Sequence, residues 1–172
     1  LGSEKEYIEL MTPQGADNPA AERIIKIANP MTENYEYVRY SIIPSLLSSE
    51  SVSGNAVYPH TIFEVGKVAW LDEKENYGSR TADFLGFLSA DGDAGFNGVS
   101  SHVSAVFFYL NKEYTLGEIQ DQRFIPGRCA QIYYKGDAVG IFGEVHPGVL
   151  ENWGIQVPCT VCEIDLDLIL EK

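Results

Sequence analysis

Two apolar segments joined by a short polar turn constrain the fold of this chain more than any other feature. The first segment, Cys129 to Tyr134, follows Phe124-Ile125-Pro126-Gly127-Arg128, and the second runs from Ala138 to Val145. Lys135-Gly136-Asp137 lies between them and contains a glycine, which tight turns between antiparallel strands favour. His146-Pro147 ends the second segment, because proline has no N–H for the ladder and suits the first turn of a helix. The spacing therefore predicts a β-hairpin that is entered through a Pro-Gly turn and followed by a helix.

Two side chains beside this hairpin are assigned structural roles. Arg128 directly follows the Pro-Gly pair. We expect it to fix the hairpin by donating hydrogen bonds to backbone carbonyl groups, which is favoured over the binding of a ligand. His146 precedes the proline that begins the helix, so its side chain is expected to cap the free N–H groups there.

Hydrophobic periodicity predicts the longest elements elsewhere in the chain. Residues 61–70 alternate as a strand does, with Phe63 and Val65 on the same side. Apolar residues recur at helical spacing from Phe96 to Leu110, which is typical of an amphipathic helix. Ala82 to Leu88 is a nearly continuous apolar run and is predicted to be a strand.

Proline and capping residues locate two further helix starts. Pro44 would cost about 3 kcal/mol inside a helix but is favoured in the first turn, so a helix is predicted to begin there after a break at Ile43. Ser3 and Glu6 have the spacing of a capping box, which predicts a helix that continues to about Met11.

Strands follow strands along the chain, with two or three helices between them. Further strands are predicted near Tyr114 to Ile119 and Thr160 to Leu166. This order is typical of an α+β fold, a mostly antiparallel sheet flanked by helices. At 172 residues the chain has the size of one domain, residues 1–172, with enough length to bury a core.

The charge balance restricts the partners of this chain. The formal net charge is −13, and the 12 Lys and Arg residues are scattered rather than clustered. Phosphate binding depends on clustered cations, so tight binding of nucleic acid by this chain is not expected. No apolar run approaches the roughly 20 residues that span a bilayer, and no membrane partner is expected.

The cysteine and histidine residues do not form a recognisable chemical motif. Three cysteines fit a reducing compartment better than a disulfide scaffold. Cys159 and Cys162 would point to opposite faces of a strand, so we expect them to pack in the core without binding a metal. His60, His102 and His146 lie far apart in sequence, and no nucleophile or metal-binding motif accompanies them.

Four blocks of residues occur in an order that resembles a known family. They are Asn29-Pro30-Met31-Thr32 with Tyr37 to Leu47, Ile62 to Val68, Phe124 to Ala130 with Gly140 to Pro147, and Val157 to Thr160 with Glu163 to Asp165. In this order they resemble the C-terminal part of the phenylalanyl-tRNA synthetase beta subunit of the archaeal and eukaryotic type. The resemblance covers most of the chain and implies that it is a fragment of a longer one.

The resemblance implies a class II synthetase catalytic-like fold without the catalytic motifs. Class II synthetases bind ATP through an Arg-x-Glu strand and a glycine-rich helix start that ends in Arg. Glu64 has Ile62 two residues before it instead of Arg, and the second motif is absent. No catalytic, cofactor-binding or metal-binding residue is therefore expected in this domain. ATP and magnesium are implied for the whole enzyme only.

The resemblance also implies the partners. The module would support the catalytic alpha subunit in a cytoplasmic assembly of two alpha and two beta chains, with tRNA held by other domains or subunits. The expected contact with alpha lies around Asn29 and Pro30 and from Arg39 to Leu47. Its members are Asn29, Pro30, Arg39, Ile42, Pro44, Leu46 and Leu47. Some of the apolar ones are expected in the core, and any that are exposed would form a patch typical of an interface. For Arg39, a strand-edge pair with a carboxylate is an equally weighted alternative.

Two other classes of function stay open at this point. The chain could be a free-standing paralogue that acts as a binding or regulatory module. It could also be a small enzyme in which His102 or His146 meets a carboxylate in a pocket. An upstream editing domain in the full gene would favour the subunit, and an isolated reading frame would favour the paralogue.

Overall fold

The computed structural model describes residues 1–54 and 56–170 and has two sheets and four α-helices in that part of the chain. The strands are β1 (Ile25–Lys26), β2 (Tyr37–Val38), β3 (His60–Leu71), β4 (Ser79–Ala90), β5 (Thr115–Glu118), β6 (Phe124–Tyr134), β7 (Asp137–Val145) and β8 (Cys159–Asp165). The helices are α1 (Ile43–Ser51), α2 (Phe96–Tyr109), α3 (Pro147–Trp153) and α4 (Leu166–Leu170). Shorter helical turns lie at Lys5–Glu9, Pro19–Glu22 and Glu33–Tyr35.

The main sheet has six strands in the order β3-β4-β8-β7-β6-β5, and every neighbouring pair is antiparallel. The two-stranded β1-β2 ladder is separate from it. This arrangement confirms the α+β fold class. The last strand along the chain, β8, lies between β4 and β7 near the centre of the sheet. Consequently, all seven residues of β8 are buried.

Each face of the main sheet has its own hydrophobic core. One core contains α1, α3 and Met11, and we call this side of the sheet the α1 face. The other core contains the buried residues of α2 and Ile169 of α4, and we call it the α2 face. Cys159 lies in the first core and Cys162 in the second, so the expectation that strand geometry separates the two thiols is confirmed.

The β6-β7 hairpin is confirmed, but its entry differs from the prediction. Lys135 and Gly136 both have positive φ angles, of 53° and 93°, and form the two-residue turn of a tight hairpin. Pro126 and Gly127 make no turn before the strand, because β6 already begins at Phe124. They lie instead at a register irregularity between Phe124 and Cys129, where Gly127 has a φ of 74°. A bulge tolerates both a residue without an N–H and a left-handed glycine, so the predicted turn was wrong.

Three helix starts match the sequence predictions closely. His146 caps α3, since its Nδ1 accepts a hydrogen bond of 3.0 Å from the N–H of Gly148. Pro44 lies in the first turn of α1, which begins one residue earlier than predicted. Ser3 and Glu6 form the predicted reciprocal capping box, although the helical turn that follows ends at Glu9 rather than near Met11.

A histidine–carboxylate pair ties the end of α1 to the start of β3. The Nε2 of His60 lies 2.7 Å from a carboxylate oxygen of Glu50, which is 4% exposed, and its Nδ1 lies 3.3 Å from the carbonyl oxygen of Val57. Both neighbours are acceptors, so the ring can donate from both nitrogens only when it is protonated. The hydrogen bond to Glu50 accordingly raises the pKa of His60.

This pair should make the stability of the protein depend on pH. A raised pKa in the folded state contributes stability that is fully present below the ordinary His pKa of about 6.5 and is lost as the pH rises through the folded value. We expect the wild type to lose free energy of unfolding in urea titrations as the pH rises above about 6.5, and His60→Gln to lose less over the same range. His102→Gln, which changes an exposed histidine, serves as the control. Identical pH profiles for the wild type and His60→Gln would contradict the assignment.

Candidate functional site

The apolar residues assigned to a subunit contact lie inside this chain. Ile42, Leu46 and Leu47 are at most 3% exposed, and Pro44 is also buried. The apolar side of α1 packs against β4, where a Cβ on Gly86 would come within 2.6 Å of the Ile42 side chain. These four side chains therefore form no exposed patch, because the sheet itself covers them.

The other three members of the same set lie at the surface or beside the sheet edge. Asn29 and Pro30 are exposed between β1 and β2. Arg39 lies across Gly66 of β3, donating a hydrogen bond of 2.7 Å from Nε to the carbonyl oxygen of Lys67 and pairing with Glu64 at 2.5 Å. This arrangement matches the alternative of a strand-edge arginine with a carboxylate partner.

Arg128 does not fix the hairpin in the way that was expected. Its side chain is 60% exposed, and its Nη1 lies 3.1 Å from Oε1 of Glu144 rather than near backbone carbonyl groups. The same oxygen of Glu144 accepts a hydrogen bond of 2.7 Å from the N–H of Phe96, at the start of α2. Arg128 meets this carboxylate because Cys129 pairs with Gly143, which places the preceding residue, Arg128, and the following residue, Glu144, next to each other across the strands.

The outer edge of β3 is partly open, which sequence analysis did not detect. In its second half, the N–H groups of Ala69 and Leu71 donate to the carbonyl oxygens of Arg39 and Arg23. Successive residues of a strand alternate, so Phe63 and Val65 direct their backbone groups to the same outer side. No backbone partner from the described residues lies there. We call residues 61–65 the open edge.

Two apolar side chains stand on the open edge. Phe63 is 73% exposed and Val65 is 57% exposed, on the α2 face beyond the area that the helices cover. The alternation of residues 61–70 correctly placed both on the same side of a strand. It could not show that no helix reaches that side at the sheet margin. A long edge strand with exposed apolar residues is typical of a surface that pairs with another chain.

A second feature is a cleft of about 1000 Å³ on the α1 face. We call it the sheet cleft. Its floor contains Trp70, Phe84 and Glu163 from three neighbouring strands. Its walls come from three separate segments, which are residues 13–23, Tyr40 and residues 119–129. Because three strands and three other segments contribute, no local motif could have revealed it.

A buried carboxylate lies at the base of the sheet cleft. Glu163 is 7% exposed, and its Oε2 accepts hydrogen bonds from the hydroxyl of Ser41 at 2.6 Å and from the N–H of Ile42 at 3.1 Å. Its Oε1 lies 3.6 Å from Nη1 of Arg123. The carboxylate therefore joins β8, the start of α1 and the segment before β6.

Beside Glu163, Arg123 and Asp121 form an ion pair. Arg123 donates to both carboxylate oxygens of Asp121, at 3.0 Å from Nε and 2.7 Å from Nη2. Burial opposes the charge on each group, yet the attraction between them raises the pKa of Arg123 and lowers the pKa of Asp121. Burial raises the pKa of Tyr40 in the same cleft to about 12, so its hydroxyl keeps its proton.

His146 lines the same cleft as Asp121 and Glu163, but its Nδ1 accepts from the N–H of Gly148, and within the described residues no carboxylate contacts its ring. Burial raises the pKa of the Cys129 thiol, which donates to the carbonyl oxygen of Ile119 and is not activated as a nucleophile. Across the described residues, no group of three or more His, Cys, Asp or Glu side chains could hold a metal ion. No helix in the described part of the chain is long and apolar enough to cross a membrane.

Comparisons with known proteins agree on one family. The family model described as "Phenylalanyl tRNA synthetase beta chain CLM domain" matches residues 1–166. Curated proteins named phenylalanine–tRNA ligase beta subunit are 49% identical in Borrelia hermsii and 46% identical in Treponema pallidum, each over 170 residues. The matches cover 99% of this chain but only 29% and 27% of those relatives. The chain thus spans less than a third of the length of the curated relatives it matches.

Removing the carboxylate of Glu163 should destabilise the fold. Glu163→Ala leaves the hydroxyl of Ser41 and the N–H of Ile42 without their buried acceptor. It also removes one of the two carboxylates near the buried Arg123. We expect a loss of about 3 kcal/mol in the free energy of unfolding, as for the loss of one partner of a buried ion pair. Glu163→Gln should lose less, because its amide oxygen still accepts. Urea denaturation measures both effects.

The matched control is Glu73→Ala, which removes an exposed carboxylate from the turn between β3 and β4. It should change the free energy of unfolding by less than about 0.5 kcal/mol. An equal effect of Glu163→Ala and Glu73→Ala would show that the buried network does not stabilise the fold.

Proposed function

This chain belongs to the phenylalanyl-tRNA synthetase beta chain CLM domain family, and we propose that its work in the ligase is architectural. The chain would be a non-catalytic module of the beta subunit that supports the catalytic alpha subunit. The reaction, in which phenylalanine is joined to its tRNA with ATP and magnesium, would belong to the assembly. The family match over residues 1–166 carries this proposal.

The proposal includes a place for the module within the enzyme. We assign it to the archaeal and eukaryotic type of beta subunit, in the C-terminal part, and to a cytoplasmic assembly of two alpha and two beta chains. The order of the four motif blocks supports this assignment. The relatives from Borrelia hermsii and Treponema pallidum are bacterial beta subunits. The proposed type of enzyme therefore rests on the motif blocks alone.

The sequence context of Glu64 and its contact with Arg39 support a non-catalytic role. An ATP-binding strand of this class would place Arg two residues before the Glu, and this chain has Ile62 there. The carboxylate of Glu64 instead pairs with Arg39, which is anchored to the carbonyl oxygen of Lys67. A carboxylate held in this way braces the edge of the sheet.

The charge of the chain supports the assignment of tRNA to other domains or subunits. The net charge is −13, and Arg123 of the sheet cleft is already paired with Asp121. Binding to a phosphate backbone needs several free cationic contacts. In the proposed assembly, this module therefore contacts protein rather than RNA.

The open edge is the surface that best fits the alpha subunit. It offers unpaired backbone groups and two exposed apolar side chains, Phe63 and Val65, and this combination suits the pairing of strands between chains. Arg39, which follows β2, contacts the same strand through its pair with Glu64. The proposed contact therefore keeps Arg39, Asn29 and Pro30 and exchanges the buried residues of α1 for residues 61–65.

Placing a charge on the open edge should weaken the assembly. Phe63→Asp, introduced into the full-length beta subunit, buries a carboxylate in the proposed contact. Central contact residues are worth about 2 kcal/mol or more, so we expect at least about a 30-fold loss of affinity for the alpha subunit. Surface plasmon resonance with purified alpha measures it, after circular dichroism has shown that the variant is folded.

Phe108→Asp is the matched control, since Phe108 is 78% exposed but lies on α2. Its affinity for alpha should stay within about threefold of the wild type, as for residues outside an interface. If Phe63→Asp binds alpha as tightly as Phe108→Asp does, the open edge is not the contact.

The chain alone should not form phenylalanyl-adenylate, because it lacks both sequence motifs that bind ATP in this class. We expect no phenylalanine-dependent exchange of labelled pyrophosphate into ATP above the level of a blank. The alpha-beta assembly in the same assay is the positive control. Exchange that persists in the chain after removal of host synthetase would show that the module is catalytic.

A further inference from the structure

The sheet cleft has no role in the architectural function proposed above. It opens on the α1 face, whereas Phe63 and Val65 of the open edge stand on the α2 face. Its volume of about 1000 Å³ is at the upper end of the range of small-molecule sites, which is about 300–1,000 Å³. The side chains on its floor and rim indicate what kind of molecule it accepts.

One side of the cleft is an aromatic wall. The rings of Trp70 and Phe84, on neighbouring strands, have centroids 5.9 Å apart and meet at 66°. Both are only partly buried, so each keeps ring surface that faces the cleft. Aromatic side chains in this edge-to-face arrangement offer both a ring face and a ring edge to a further planar group. The wall therefore favours a ligand with a planar aromatic ring.

Two arginines lie beside this wall, and they differ in their partners. The guanidinium carbon of Arg80 is 5.3 Å from the Trp70 ring, but its Nη2 is already 2.6 Å from a carboxylate oxygen of Asp165. The guanidinium carbon of Arg23 is 5.8 Å from the same ring. Within the described residues, Arg23 has no carboxylate within ion-pair distance. Its backbone carbonyl accepts from Leu71, so its position is fixed while its charge stays available.

The acidic residues of the cleft limit the charge of the ligand. Glu163 lies on the floor, and Asp17 lies in the wall on the same side as Arg23. Both repel a ligand that carries several negative charges, and the net charge of −13 adds to this repulsion. Among the described residues of the lining, Arg23 is the one Lys or Arg without a carboxylate partner, so one acidic group fits the cleft better than a polyphosphate does.

We propose that the sheet cleft binds a small planar aromatic molecule with one acidic group. Its ring would pack against Trp70 and Phe84, and its carboxylate would pair with Arg23. A charge-assisted pair between an arginine and a carboxylate fixes the orientation of the ligand as well as adding affinity. The apolar side chains of the open edge, Phe63 and Val65, stand on the opposite face of the sheet from this site.

The two tryptophans of the chain make a direct test possible. Trp70 lines the cleft, whereas Trp153, the last residue of α3, lies in the core and is 9% exposed. The indole N–H signals in a ¹H–¹⁵N spectrum can be assigned with a Trp70→Phe variant. On titration with 2-naphthoate, we expect the Trp70 signal to shift and saturate while the Trp153 signal stays in place.

Matched probes and variants test the acidic group. The neutral 2-naphthylmethanol and the cationic 2-naphthylmethylammonium should each bind at least about tenfold more weakly than 2-naphthoate. Arg23→Gln should weaken binding of 2-naphthoate by a similar factor. Arg128→Gln, which removes an exposed arginine outside the cleft, should leave the affinity within about twofold.

Several results would overturn the proposal. They are the absence of saturable shifts at Trp70 with 2-naphthoate, equal or tighter binding of the neutral or cationic probe, and unchanged affinity in a folded Arg23→Gln variant. Because Arg23 is exposed, this variant is expected to keep the wild-type circular dichroism spectrum. The test uses no alpha subunit, so its outcome is separate from that of the proposed assembly.

Discussion

The buried carboxylate of Glu163 is the interaction on which the arrangement of this protein depends most. It stands on the central strand β8, and it accepts from Ser41 and Ile42 at the start of α1 while facing Arg123 before β6. A charge at this depth is costly unless each lone pair meets a donor. Ser41 and Ile42 precede Glu163 by more than 100 residues, and Arg123 precedes it by 40. One side chain thus fixes the two halves of the chain against each other.

The position of β8 explains why so much depends on one strand. Although β8 is the last strand along the described residues, it pairs with both β4 and β7 and separates the two cores. The helices then cover unequal parts of the sheet. α1 and α3 cover one face with the segments before them, while α2 and α4 leave the margin at β3 exposed. The helices do not cover the open edge on one face or the sheet cleft on the other.

Membership of a synthetase family does not by itself give this chain synthetase chemistry, because a fold can persist while its site changes. Here the charged side chains that lie along the sheet are paired with one another. Arg39 holds Glu64, Arg80 holds Asp165, and Arg123 holds Asp121. Such pairs stabilise the position of strands and segments, and they leave few charges free for a reaction. Arg23, beside the aromatic wall, differs from these three arginines, because it has no carboxylate partner among the described residues.

The sequence alone determined the elements whose signals are local. The β6-β7 hairpin, α2 with its helical spacing, the capping role of His146 and the opposite placement of Cys159 and Cys162 all follow from patterns within a few residues. Local patterns failed where a neighbour from elsewhere in the chain decided the outcome. The bulge at Pro126 and Gly127 depends on pairing with β7, and the burial of Ile42 depends on the space above Gly86.

Only the tertiary structure decided where surface remains. Phe63 and Val65 have the same pattern as buried strand residues, and they are exposed because no helix reaches the margin of the sheet. The sheet cleft joins residues 13–23, Tyr40, three strands and residues 119–129, so no spacing in the sequence encodes it. A sequence states which residues can be buried. Which of them are covered depends on how separate elements pack, since burial is a property of the assembled layers.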